Sequence, residues 1–222
     1  MDIEQKVSDI IKAVSYPGTD KTLADLKVVE TQTSGDDITV KVKQIAPNQN
    51  ADSELKSAIE AVLDGSDAKL DFDIDLSIPS DGRVRTGGSS KIKNILAVAS
   101  GKGGVGKSTL SVNLAVALAK MGAKVGLMDA DVYGPNIPMM MGVDAIEKVE
   151  EVGEGKVLIH PAKSYDVKIM SIGFMVQPEQ AIIWRGPMLH SAIQQFLNDV
   201  QWGELDYLVI DLPPGTGDVQ LS

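Results

Sequence analysis

The run Gly101-Lys102-Gly103-Gly104-Val105-Gly106-Lys107-Ser108-Thr109 fills every fixed position of the pattern G-x-x-x-x-G-K-S/T, and its chemistry is that of a polyphosphate cradle. Glycines let backbone N–H groups curl around phosphate oxygens, and a following helix adds the partial positive charge of its N-terminus. Lys107 is placed to neutralise β and γ phosphates, Ser108 to offer its hydroxyl to a magnesium ion, and Thr109 to lie near an α phosphate. Carboxylates end two further segments. Asp129-Ala130-Asp131 follows the apolar run 124–128, and Asp211 follows the apolar run 205–210. Two carboxylates one residue apart can both face a phosphate site where the backbone turns, one near magnesium and the other near attacking water. An apolar strand ending in aspartate, as at Asp211, holds magnesium in such sites, usually through water. Without the glycine-rich loop, Asp129 reads equally well as a cap, Asp131 as a surface charge and Asp211 as an ordinary strand end.

The elements needed to position these groups are present in order. Ile95-Leu96-Ala97-Val98-Ala99 is apolar without alternation, which predicts a parallel strand buried on both faces immediately before the loop. Residues 110–120 are rich in alanine and leucine and stop at Gly122, which predicts the helix after it. Pro213-Pro214-Gly215-Thr216-Gly217 has the composition of a switch loop, and Leu189, Ile193, Phe196 and Leu197 mark an amphipathic helix. Upstream, Ile3, Val7, Ile10, Ile11 and Val14 predict a helix broken by Pro17-Gly18. Runs 26–33 and 38–42 predict a hairpin around Ser34-Gly35-Asp36-Asp37. A second helix follows at Leu55, Ala58, Ile59, Val62 and Leu63, and the strict alternation Leu70, Phe72, Ile74, Leu76, Ile78 predicts a half-wet strand. The expected organisation is a small α+β domain over 1–79, a flexible Gly/Ser-rich linker over 80–91 and an α/β domain with a parallel sheet over 92–222.

Composition narrows the function classes. The 222 residues are 43% hydrophobic and 23% charged, as in a soluble globular chain. A net charge of -10 argues against a nucleic-acid footprint, which needs clustered Lys and Arg. The absence of cysteine removes disulfides, thiolate catalysis and any thiolate-held metal formed by these residues. Met1-Asp2-Ile3-Glu4 opens no signal sequence, and no run approaches the roughly 18 apolar residues that span a bilayer, so no membrane partner and a cytoplasmic address are expected. His160 and His190 are too isolated to suggest a metal site, and Met139-Met140-Met141 reads as packing in a loop.

Lys102, directly after the first glycine, resembles the deviant Walker A group that includes ParA, MinD, the arsenite-pump ATPases and the nitrogenase iron protein. That resemblance implies a homodimer in which Lys102 reaches the partner's nucleotide. Together with Asp129-Ala130-Asp131-Val132-Tyr133-Gly134-Pro135-Asn136, Trp184-Arg185-Gly186-Pro187-Met188 and Asp211-Leu212-Pro213-Pro214-Gly215-Thr216-Gly217-Asp218, it makes residues 92–222 resemble the Mrp/ApbC iron-sulfur cluster carrier ATPases. The resemblance implies a P-loop NTPase sheet with helices on both faces, ATP and Mg2+ as cofactors, and ATP hydrolysis. Lys102, Lys107 and Asp131 take catalytic roles, Gly101 to Thr109 bind nucleotide, and Ser108, Asp129 and Asp211 surround magnesium. It further implies a 4Fe-4S cluster held between two subunits by a later Cys-x-x-Cys pair and passed to iron-sulfur apoproteins with assembly factors as partners. Walker B lies a few residues before Ser222, whereas a doubly wound sheet needs further strands, so the chain reads as truncated by roughly a third of its parent. The front domain is similar in layout to one that precedes the ATPase in many members. Ser15-Tyr16-Pro17-Gly18 departs from the usual acidic motif there, and the region around Pro47 lacks the cysteine often seen. Two other readings fit the same residues: a MinD- or ParA-like positioning ATPase, and a non-catalytic nucleotide-binding adaptor.

Overall fold

A computed structural model of the chain describes residues 3–34, 37–63, 69–82, 91–153, 157–175 and 186–215. Contacts divide it into Met1–Pro79 and Ser80–Ser222. In the first unit the helical spacing of Ile3, Val7 and Ile11 forms α1 (Ile3–Lys12). The strand expected over 26–33 begins later than its β-prone residues suggest. Thr22 Oγ1 accepts the Asp25 N–H while the Asp25 carboxylate accepts the Thr22 N–H, and this reciprocal cap winds Leu23–Leu26 into a short helix, α2. Only after Lys27, in the left-handed region at φ 55, does β1 (Val29–Ser34) start. It pairs antiparallel with β2 (Asp37–Lys43), as expected for a hairpin. Helix α3 (Ala51–Val62) follows, and β3 (Lys69–Asp75) joins β2 in parallel, giving the order β1-β2-β3. Ile38, Val40 and Val42 bury one face of this sheet with Ile11 of α1 and Leu55 and Ile59 of α3. Asp71, Asp73 and Asp75 alternate onto the exposed face.

The second unit runs β4 (Lys91–Val98), α4 (Lys107–Lys120), β5 (Val125–Asp129), α5 (Ile137–Met141), β6 (Lys148–Glu151), β7 (Val157–His160), β8 (Ala162–Ser164), β9 (Val167–Ser171), a 3-10 turn (Ile172–Phe174), α6 (Gly186–Asp199) and β10 (Glu204–Asp211). Its main sheet has the order β4-β10-β5-β9-β8, with β4, β10, β5 and β9 mutually parallel and β8 antiparallel at one edge. Side chains of the inner strands alternate between two cores. Leu127, Ile169 and Val209 pack with Ala115 of α4, whereas Met128, Met170, Leu208 and Ile210 pack with Ile193 and Phe196 of α6. Helices therefore cover both faces, and β5 is buried along its whole length. Gly126 is required there: a Cβ would come within 2.7 Å of Leu205, 2.9 Å of Leu208 and 3.0 Å of Trp202.

Two sequence expectations are corrected here. The strand before the loop is not buried on both faces; in β4 only Ile92 is buried, because β4 is the outer strand of the described sheet and β10, not β5, lies beside it. The methionine run is helical rather than loop. Pro138 sits in the first turn of α5 and Gly142, at φ 67, ends it, so Met141 is buried and Met139 is 78% exposed. At the start of the expected linker, the Asp81 N–H donates to the Lys93 carbonyl and Ser80 Oγ to the same oxygen, so this stretch is tied to β4. Linker residues 83–90 and the hairpin residues Gly35 and Asp36 lie outside the described residues, and among the described residues no helix is long and apolar enough to cross a membrane.

Candidate functional site

The register of the parallel strands brings Val98, Asp211, Asp129 and Ser171 into one row at the carboxyl edge of the sheet. Ligands of open α/β sheets bind at that edge. Above it runs the exposed loop 101–106, which turns into α4 through Gly106 at φ 91, a backbone conformation that a side chain would strain. The first residue of α4 is Lys107, whose side chain is only 7% exposed. Its Nζ lies 2.8 Å from Asp211 Oδ2 and 3.3 Å from Asp131 Oδ2. Ser108 Oγ donates to Asp211 Oδ2 at 2.6 Å. Pro214, following β10, faces the loop, and the Gly215 N–H donates to the Ser100 carbonyl. A cavity of about 330 Å³ opens between these groups, lined by Gly104, Lys107, Ser108, Thr109, Asp131 and Asn136 among others.

Asp129 is wholly buried, and its two oxygens are engaged by the protein itself. Oδ1 accepts the Asp131 N–H at 3.1 Å, and Oδ2 accepts the Ile137 N–H at 3.3 Å and the Ser171 hydroxyl at 3.0 Å. Burial pushes its carboxyl up to about 7; the neighbouring charge of Asp211 adds to the rise, while the hydrogen bonds from Asp131 and Ser171 oppose it. The geometry makes Asp129 the peg around which the loop 130–136 folds, and that loop turns Asp131 toward Lys107. Asp131 Oδ1 accepts the Tyr133 N–H, which leaves Oδ2 for the lysine.

Chemically, the arrangement offers a buried cation and exposed loop amides to an anion, and a hydroxyl beside a carboxylate to a cation. Those cation donors are oxygens only, a set that suits a hard ion such as magnesium. The family model of the ParA-type NUBPL iron-transfer P-loop NTPase matches residues 91–222. The chain belongs to that family. Proteins called iron-sulfur cluster carrier protein are similar to it: that of Synechocystis at 56% identity over 60% of this chain and 37% of the relative, and that of Helicobacter pylori at 41% over 99% of this chain and 60% of the relative. The Escherichia coli protein of the same name is 40% identical over 97% of this chain and 59% of its own length. The chain thus spans between about a third and three fifths of these relatives. A solved nucleotide-binding protein from Archaeoglobus fulgidus in complex with ADP is 43% identical, covers 59% of this chain and 48% of its own, and has a TM-score of 0.46.

Within this P-loop NTPase, the structure brings Lys107, Ser108, Asp131 and Asp211 together, with Asp129 beneath them. Lys102 stands apart: it is exposed, and its side chain makes no ion pair among the described residues. Two serines in the site escaped the sequence reading. Ser111 Oγ lies 2.7 Å from Asp211 Oδ1, and Ser171 bonds to Asp129 while accepting the Gly173 N–H. A polar residue one turn beyond Ser108 was a signal for Ser111, whereas Ser171 becomes visible only when β9 is set beside β5. Thr216, Gly217, Asp218, Trp184 and Arg185, on which the family resemblance partly rested, lie outside the described residues. Among the described residues no cluster of three or more His, Asp or Glu side chains is arranged to hold a metal. His160 instead meets Glu150 at 3.2 Å, and His190 is exposed on α6.

Proposed function

We propose that this chain carries the nucleotide-hydrolysing core of an ATP-dependent iron-sulfur cluster carrier. The observation that supports it most is the meeting of Lys107, Ser108 and Asp131 at one cavity at the carboxyl edge of the sheet, with Asp211 bonded to Lys107 and Ser108 behind them, in a member of an iron-transfer NTPase family. ATP enters with its phosphates against the loop amides of Gly101 to Thr109. Lys107 moves from the carboxylates to the β and γ phosphates. Ser108 and Asp211 would hold magnesium, which when bound would supply charge neutralisation to the phosphate oxygens. Asp131, released by Lys107, orients the attacking water. Asp129 acts beneath them by fixing the loop that presents Asp131.

Lys102 works in a homodimer, reaching the nucleotide of a second copy. Its exposure supports this, as do exposed apolar residues on the loop, on α4, after β5 and on α5: Val105, Leu110, Tyr133 and Met139 are between 56% and 79% exposed. The 4Fe-4S cluster is cargo passed to cytoplasmic apoproteins, and its thiolates are not supplied by these 222 residues, which contain no cysteine. Equilibrium binding of a fluorescent ATP analogue, with phosphate release measured on the same samples, tests the reading. Lys107→Ala abolishes binding, whereas Lys102→Ala retains binding and loses turnover. Retained affinity in Lys107→Ala removes the assignment of the site.

A further inference from the structure

Asp211 receives three donors from α4, and only two of them have another task in the proposed reaction. Oδ2 takes the Ser108 hydroxyl at 2.6 Å and Lys107 Nζ at 2.8 Å, while Oδ1 takes the Ser111 hydroxyl at 2.7 Å. Ser111 is completely buried, and its described hydrogen bonds run to Asp211 and to the backbone of its own helix. Its oxygen also lies 3.1 Å from the Lys107 carbonyl one turn back, but a hydroxyl has a single proton. The shorter distance and the charged acceptor favour Asp211.

We propose that Ser111 is a positioning residue for the divalent cation, acting through Asp211; this rests on the nucleotide site proposed above. When Lys107 shifts to phosphate and Ser108 to metal, Oδ2 of Asp211 loses both of its described donors. Ser111 then remains the described side chain that holds Oδ1 inward and keeps Oδ2 aimed at the metal position. Removing its hydroxyl frees the carboxylate to rotate about Cβ–Cγ. Cation affinity falls, and nucleotide contacts made without the cation stay as they were.

The test is titration of a fluorescent ATP analogue in EDTA and across a magnesium series, using wild type, Ser111→Ala and Ser111→Thr. In Ser111→Ala the magnesium concentration for half-maximal enhancement rises on the order of tenfold, as for loss of a group that orients a metal ligand. Affinity in EDTA is unchanged, and Ser111→Thr, which keeps the hydroxyl, recovers most of the shift. Overlaid magnesium curves for Ser111→Ala and wild type overturn the proposal, as does an equal loss in EDTA or an equal shift in both variants, each of which reports packing instead. Should Ser111→Ala not fold, Ser111→Cys, with a weak donor of similar size, replaces it under the same criteria. Wild type that binds the analogue with no magnesium dependence refutes the nucleotide-site reading itself, a result separable from failure at Ser111.

Discussion

Replacing Lys107 with alanine should destabilise the second unit. The lysine is 7% exposed and is the described cation shared by Asp211, 0% exposed, and Asp131, 11% exposed. Breaking a buried ion pair by deleting one partner costs about 3–5 kcal/mol, because the remaining charge stays buried. Asp211 keeps its bonds from Ser108 and Ser111, which places the expected cost near the lower end, at about 3 kcal/mol. Tryptophan fluorescence isolates the relevant transition, since Trp184 and Trp202 both belong to the second unit. At about 2–4 °C per kcal/mol, the midpoint should drop by about 6–12 °C at pH 7. A deficit below about 1 kcal/mol at pH 7 would mean that the carboxylates do not depend on this lysine.

Three shorter expectations accompany it. Wild-type stability should rise as pH falls from about 7 toward 4, because Asp129, raised from 3.8 to about 7, binds a proton in the folded state that the unfolded chain does not; urea midpoints that fall over this window, once the other carboxylates are held constant by comparison with Asp129→Asn, would contradict it. Gly126→Ala should cost about 1–3 kcal/mol by overpacking against Leu205, Leu208 and Trp202, read as a lowered fluorescence midpoint. Ser171→Ala removes one of the hydroxyl and amide donors on Asp129 and should lower phosphate release more than nucleotide affinity, because it loosens the loop of Asp131 without touching Lys107; equal losses in both would contradict that role.

The legibility of this fold followed the range of the interactions that decide it. The loop 101–109, the strand 205–210 and the helix around Ile193 were readable because their signals are local: glycine spacing, an apolar run ended by aspartate, and a helical period. α2 was locally encoded too, in Thr22 and Asp25 three residues apart, but β-prone Leu26 to Thr33 drowned that signal. The exposure of β4 could not be read locally, since it depends on β10 inserting between β4 and β5 from far along the chain. The β8–β9 hairpin turns at Tyr165 and Asp166, both at positive φ, where a sequence reader looks for Asn-Gly. Tertiary pairing holds that turn, through Ala162 opposite Ile169 and Ser164 opposite Val167.

The site as it stands is electrostatically self-contained, and this constrains how nucleotide can enter. Lys107 serves two carboxylates, with Asp129 buried beside Asp211, so the described side chains paired around Lys107 carry more acid than base. A triphosphate brings several further negative charges into the same space. Lys107 cannot satisfy the phosphates and both carboxylates together, so entry of the nucleotide must bring compensating positive charge or leave Asp131 and Asp211 unpaired at the cost worked out above. A divalent cation, if held by Ser108 and Asp211 as proposed above, would cover one part of that deficit. On the function proposed above, the remainder falls on the developing charge of the γ phosphate during transfer, where the exposed Lys102 would serve the nucleotide of a second copy. That reading expects a monomer loaded with ATP to turn over slowly, and association of two copies through exposed apolar residues such as Tyr133, Met139, Val105 and Leu110 to be the step that completes the charge balance.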